Sequence, residues 1–370
     1  MDEFVFNMLM ENPLEEHIKA VSVVAKVSAN MNDDVIGLED TVAEEYGVRS
    51  ALSLPSHNFI EKIAAFNDSE CLEHFRMKGT TLQALYEYLK TKCNFDSAKV
   101  PGDKQLYVTL WTLANKDSYR EVGNLFGLSK STVNFIFHKV CKLLTECRND
   151  FIKWPTAVEQ TDIKRYVHSV HRFPNTVGFI DGCHIQIKAP SNNPTDFYNR
   201  KDVHSIVLQG TCDHTLKFID IYLGQTGRSH DARVFRESPL SDVLNQVVPS
   251  NCHILGDSAY PLLTRMMTPY RDTGHLTASQ KKYNTIHAKS RAFIERAFGR
   301  LKGKFRRLKY LEVNDITGVT DIVCAACVLH NFILTYEPDN LYSRQQQEDI
   351  EIDENLSASE KRLLITNYIS

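Results

Sequence analysis

The sequence predicts an α/β domain preceded by a helical region, and three observations carry that reading. Residues 1 to about 100 have helical character, broken at Pro13, Asn32-Asp33-Asp34 and Pro55-Ser56. From residue 172 the texture changes to short β-rich runs separated by turn residues. A basic segment then places Ile294, Phe298, Leu301 and Phe305 at steps of three and four, the spacing of an amphipathic helix.

The first part of the chain carries no motif with recognisable chemistry. A turn-rich stretch at 93–104, with Cys93-Asn94-Phe95-Asp96 and Pro101-Gly102-Asp103, links two helical parts. Ser118-Tyr119-Arg120-Glu121 is a capping box that starts a helix with Val122, Leu125 and Phe126 on one face. Gly127 breaks that helix, and Ser129 caps a second one running on to Leu144. Two short helices around a Gly-containing turn make the helix-turn-helix pattern. Its second helix offers Lys130, Ser131, Thr132 and Asn134 near its N-terminus, side chains suited to phosphates or base edges. An ordinary helical hairpin would read the same way.

In the second part, Thr176-Val177-Gly178-Phe179-Ile180 is an apolar run that reads as a buried strand ending in Asp181. Ser205 to Cys212 and Leu216 to Leu223 are β-rich runs around a turn at Asp213-His214-Thr215. Cys252 to Leu255 forms another strand, closed by Gly256-Asp257-Ser258. The organisation expected is a helical region at 1–104, a helix-turn-helix-like segment at 105–150, an α/β domain at 172–335 and an acidic tail at 336–370.

With 42% hydrophobic and 24% charged residues the chain has a globular composition, and 370 residues suffice for well-buried cores. No uninterrupted apolar run reaches the about 18 residues a membrane span needs, and the acidic N-terminus does not read as a secretory signal. Nine scattered cysteines suit a reducing interior, so a nuclear or cytosolic protein is expected. The net charge of −3 hides a local asymmetry. Between Lys281 and Lys309 there are eleven Lys/Arg and one acid, Glu295, whereas Gln345 to Leu356 carries five acids and no base. A polyanion feels charge within roughly 10 Å, so the basic segment outweighs the total.

Three acids stand out: Asp181 and Asp257 close strands, and Glu295 is alone on the basic helix. Ligands in α/β sheets gather where strands end. Converging carboxylates repel one another unless a cation joins them, and Mg²⁺ and Mn²⁺ favour such oxygen ligands. Two such ions can serve both the attacking and the leaving oxygen of a phosphodiester. On the helix, Arg291 and Gly299 lie four residues to either side of Glu295, with Lys302 a turn further on. Arg291 and Lys302 are thereby candidates for phosphate contact, Gly299 for close backbone approach. A plain Arg291–Glu295 helix pair is the equal alternative.

A run of blocks then brings in a resemblance. Gly178-Phe179-Ile180-Asp181-Gly182-Cys183-His184-Ile185 is similar to the first catalytic block of the Harbinger transposase superfamily. Tyr198-Asn199-Arg200-Lys201 with His204-Ser205, Gly227 to Phe235, Leu255 to Pro261, Ile294 to Lys302 and Val328-Leu329-His330-Asn331 follow in the family's order. The resemblance covers roughly residues 115–335. It implies a ribonuclease-H-like Asp-Asp-Glu nuclease core with Mg²⁺ or Mn²⁺ held by Asp181, Asp257 and Glu295. The position matching Asp231 is carried as a further metal ligand. Cys183 replaces a usual hydroxyl residue and Ala259 a common glycine, and neither change removes an acid.

On this reading the chain is a metal-dependent DNA nuclease, transposase-like, with strand transfer left open. The rival is a host-adopted DNA-binding or partner-docking protein that keeps the site unused. DNA is the expected partner, joined by the resemblance to a separate Myb-like DNA-binding protein, and a homo-oligomer is left open. Arg200 and Lys201 are further candidates for DNA contact. Beside them, Asn199 and His204 could support the acids, and His184 either serves metal-bound water or is structural. Arg296 and Lys304 would add backbone charge, and Lys302 to Lys309 could serve nuclear entry. Cys324-Ala325-Ala326-Cys327 lacks the further ligands zinc needs and reads as an apolar helix. No Gly-x-Ser-x-Gly elbow, Walker motif or dinucleotide glycine motif is present.

Overall fold

The structure, a computed structural model, describes residues 57–93, 95, 99–312, 315–338 and 350–370. These belong to one of two units, His57–Ser370. The sequence breaks expected at Pro13, Asn32-Asp33-Asp34 and Pro55-Ser56, and the acids Glu348 and Asp349, lie outside the described residues.

Helices come first: α1 (His57–Ala64), α2 (Asp68–Phe75), α3 (Gly79–Cys93), α4 (Gly102–Ala114), α5 (Tyr119–Phe126), α6 (Lys130–Glu146) and α7 (Ala157–His171). Side-chain caps set the starts of α2, α5, α6 and α7. Ser118 accepts from the Glu121 amide while Glu121 reaches back to Ser118, the capping box expected from sequence. Gly127 at φ 60° ends α5 in the left-handed region, where a Cβ is penalised, and Ser129 caps α6. The boundary expected at 104/105 falls inside α4, which begins directly after Pro101.

The sheet has five strands: β1 (Thr176–Gln186), β2 (Ser205–Cys212), β3 (Phe218–Thr226), β4 (His253–Leu255) and β5 (Met266–Met267). Their order is β3-β2-β1-β4-β5. The β1–β2 and β2–β3 pairs are antiparallel, while β4 runs parallel to β1 and β5 parallel to β4. Between β3 and β4 lie α8 (Asp231–Glu237) and α9 (Pro239–Val247); after β5 come α10 (Ala278–Lys304), α11 (Ile316–Tyr336) and α12 (Ala358–Ile369).

Two cores clothe the sheet. Phe179, Cys183, Ile185 and Leu208 pack with Phe293, Ile294 and Phe298 of α10 and the apolar run of α11. Ile180 and Ile254 pack with Phe235 of α8 and Leu240 and Leu244 of α9. Because side chains alternate along a strand, Asp181 faces the α10 side and Gly182 the α8 side. α11 is long and apolar enough to cross a membrane, but it is mostly buried within this core. It holds Cys324, Cys327 and His330 as packing residues; the His330 ring bonds the Leu216 carbonyl at 2.8 Å.

Two expectations need correction. Asp181 does not end its strand: β1 runs five residues further, pairing His184 with Val207 and Gln186 with Ser205. The alternation of half-exposed and buried residues after Asp181 is that of a strand with one open face. The third strand begins at Phe218 rather than Leu216, because Asp213 Oδ1 gathers the amides of Thr215 and Lys217 and holds the turn open.

The end of the chain is also more than an acidic tail. Ser357 and Glu360 form a capping box that starts α12. The Lys361 ammonium on it is buried and donates to the carbonyls of Ser250, Cys252 and Thr264, at 3.2, 2.8 and 2.9 Å. Cys252 immediately precedes β4, so α12 is tied to that strand.

Candidate functional site

The site is built where β1 and β4 run side by side. Phe179 is paired with Leu255, so Asp181 and Asp257 each stand two residues beyond that pair. Asp181 is partly buried, and both of its oxygens are engaged. Oδ1 accepts the Gly182 amide at 2.8 Å, and Oδ2 accepts the Arg291 guanidinium at 2.5 Å. Burial raises its carboxyl above the ordinary range, opposed by Arg291 and the Gly182 amide and reinforced by the charge of Asp257. Asp257 is fixed by its own turn, Oδ1 accepting the Ala259 amide at 2.9 Å.

Asp231, the first residue of α8, approaches from the other side of the sheet. Its Oδ1 lies 2.4 Å from where a Cβ on Gly182 would stand, so the glycine lets the carboxylate come this close and any larger residue would displace it. Burial pushes its carboxyl up to about 6, with Asp257 and then Asp181 adding to the rise. That mutual influence draws the three aspartates into one electrostatic unit.

Tyr260, which sequence reasoning gave no role, is buried near the group. Its ring packs edge-on against Phe235, one helical turn from Asp231, at 6.1 Å between centroids. Its hydroxyl is buried and finds no hydrogen-bond partner among the described residues. Burial, then the charges of Asp231, Asp181 and Asp257, raise that hydroxyl well above its ordinary range. Nothing in the spacing reveals this contact; the glycine after Asp181 was a legible signal of close approach.

The fourth acid arrives with α10, where Arg291 also donates to Glu295 Oε1 at 2.6 Å. One guanidinium therefore bridges two acids 114 positions apart in the chain. Both alternatives for Arg291 are modified by this: the helix pair exists, and it extends to Asp181. Among the described residues no three His, Cys, Asp or Glu side chains stand close enough together to hold a metal ion as they are arranged. The donor set nevertheless fits a hard divalent cation, being carboxylate oxygens with an orphaned hydroxyl beside them and excess negative charge.

Residues 180–331, the stretch that contains all four acids, match the model of the DDE superfamily endonuclease family. The protein of Arabidopsis thaliana named Antagonist of Like Heterochromatin Protein 1 is 28% identical over 65% of this chain and 64% of its own length. "Putative nuclease HARBI1" of Homo sapiens is 26% identical over 66% and 70%, and that of Xenopus laevis 23% over 66% and 71%. These matches support the Harbinger-derived nuclease family for this chain. The chain spans less than two thirds of the length of the Arabidopsis relative. A domain of unknown function matches residues 51–146, and no solved structure matches.

Around the acids of this domain lies a polar layer. The ring of His184 bonds Ser205 Oγ at 3.0 Å, and Ser205 accepts the amide of buried Asn199 at 2.7 Å. Burial, then Lys302, Lys201 and Arg200, lower the His184 pKa and favour its neutral form. Arg200 is exposed and bonds the ring of His230, which precedes Asp231, at 2.9 Å; Lys201 is exposed. His204 packs its ring edge-on against Tyr198.

The basic helix is less open than its composition suggests. Lys302 donates to the His184 carbonyl at 2.7 Å and Lys304 to that of Arg76 at 2.9 Å. The Arg296 guanidinium covers the Phe293 ring at 4.3 Å. Gly299 faces open space. Far along the chain, Lys130 and Asn134 are exposed on α6 beside Phe135, which is 67% exposed. Thr132 turns its hydroxyl back to Ser129 at 2.8 Å.

Proposed function

We propose that this protein is a divalent-metal-dependent DNA nuclease with a ribonuclease-H-like core. The observation that carries the proposal is the electrostatic unit of Asp181, Asp231 and Asp257, to which Arg291 joins Glu295. The strand order β3-β2-β1-β4-β5, with β2 alone reversed, supports the fold assignment.

Asp181, Asp231, Asp257 and Glu295 are the residues that would hold Mg²⁺ or Mn²⁺. Ions bound there supply activation of the attacking water or 3′-hydroxyl and stabilisation of the departing oxygen. The protein's own part is positional. Asp181 and Asp257 are fixed by the adjacent amides of Gly182 and Ala259, which leaves little side-chain entropy to lose. Neutral His184, backed by Ser205, presents a ring to the open face of β1, where it orients a phosphate or water. Arg200, bonded to His230 beside Asp231, and Lys201, near His184, supply charge for the DNA backbone.

For DNA capture we assign α5 and α6 as a helix-turn-helix, with Lys130 and Asn134 exposed at the start of the second helix. Binding through such contacts falls steeply with salt. By family resemblance a separate DNA-binding protein of Myb type is the expected partner, and the nucleus the expected location.

The second reading, a DNA- or partner-docking protein with an unused site, is favoured by the engagement of Asp181 and Glu295 with Arg291. Asp257→Asn separates the two. Plasmid cleavage with Mn²⁺ that this variant loses, with DNA affinity unchanged, supports the nuclease. Absence of cleavage by the wild type under Mg²⁺ and Mn²⁺, with DNA bound, supports the second reading.

A further inference from the structure

We infer that Arg291 competes internally with the divalent ion for Asp181 and Glu295, and that DNA relieves the competition, so that metal loading and DNA binding reinforce each other. The inference rests on the nuclease reading above and concerns how that site is regulated. The guanidinium places one nitrogen on Asp181 at 2.5 Å and another on Glu295 at 2.6 Å. Both side chains of the inner pair are only 19% exposed, so the contact is poorly screened, while Glu295 is 55% exposed.

The remaining oxygen of Asp181 is committed to the Gly182 amide. A cation can share Asp181 and Glu295 only if the guanidinium gives way, because two like charges drawn to the same oxygens repel. Arg291 sits mid-helix on α10, so it leaves by rotating its side chain, with no change of fold. Once turned outward it needs a new anion. The planar fork of arginine matches a phosphate as well as it matches two carboxylates. A DNA backbone lying along α10 supplies that partner, bordered by Arg200 and Lys201 across the acids.

Each ligand then binds more tightly when the other is present, and linkage makes the effect reciprocal. The geometry also separates this from a purely structural ion pair. A structural pair predicts lost stability and unchanged metal affinity when it is removed. The competition predicts tighter metal binding.

The test is calorimetric titration of Mn²⁺ into the full chain at fixed ionic strength, with and without a phosphorothioate duplex. Wild type, Arg291→Gln and Arg291→Lys are compared, with Asp257→Asn as the control for specific binding. Without DNA, R291Q is expected to bind Mn²⁺ about tenfold more tightly than wild type. The duplex is expected to tighten Mn²⁺ binding by a similar factor in wild type and by less than about twofold in R291Q. R291K keeps the charge without the fork and is expected near the wild type without DNA. Equal or weaker Mn²⁺ binding by R291Q, or a DNA effect retained in full, overturns the inference and leaves the nuclease reading standing. No Mn²⁺ binding by any of the proteins, with or without DNA, overturns both.

Discussion

Replacing Asp231 by asparagine is expected to stabilise the metal-free protein above neutral pH. The carboxyl has an ordinary value of 3.8 and is pushed up to about 6 in the fold, by burial first and by Asp257 and Asp181 next. Folding therefore takes up a proton between those values. Below the unfolded value the group costs nothing; above about 6 its ionised form opposes the fold in full. At ~1.4 kcal/mol per pH unit the ceiling is ~3 kcal/mol. Partial solvent access at Asp231 reduces this to ~1–2 kcal/mol. Asparagine keeps the shape and omits the charge. Urea unfolding with EDTA present should show the variant ~1–2 kcal/mol more stable than wild type at pH 8, with about half that advantage at pH 5. A variant less stable at pH 8, or an advantage of the same size at both values, refutes the electrostatic account.

Other substitutions probe the neighbourhood. Gly182→Ala puts a Cβ 2.4 Å from Asp231 Oδ1, a movable atom; Mn²⁺ affinity by calorimetry should fall about tenfold with the urea midpoint little changed. Lys361→Met leaves the Cys252 and Thr264 carbonyls without their buried donor, and urea unfolding should show a loss of ~3 kcal/mol. Lys130→Ala should lower DNA affinity evenly across sequences and reduce the slope of log K against log salt by about 1, measured by fluorescence anisotropy.

How much of this was legible in the sequence varies from residue to residue. The caps at Ser118 and Ser129, the apolar start of β1 and the amphipathic α10 follow local rules, and the fold obeys them. The continuation of β1 past Asp181 was hidden because glycine, cysteine, histidine and glutamine there break the apolar run, although their alternation is that of a half-open strand. α12 carried its signal in Ser357 and Glu360, masked by the acidic stretch before it. The Arg291–Glu295 contact is local and was anticipated. Its extension to Asp181 joins residues 110 positions apart, and Tyr260 is placed near the acids by its packing on Phe235. Such contacts depend on how layers stack, which no spacing rule expresses.

The anchoring of β4 by Lys361 bears on where fragments of this protein can be cut. The family match stops at residue 331, yet the carbonyls flanking the strand that leads to Asp257 are satisfied from residue 361. A fragment trimmed to the matched block would expose that strand's flank and strip a covering layer from α10. Sequence similarity here delimits what is shared by descent, while the contacts that hold β4 reach beyond it. Fragments that retain Lys361 and its helix should therefore be the ones that keep Asp257 in place.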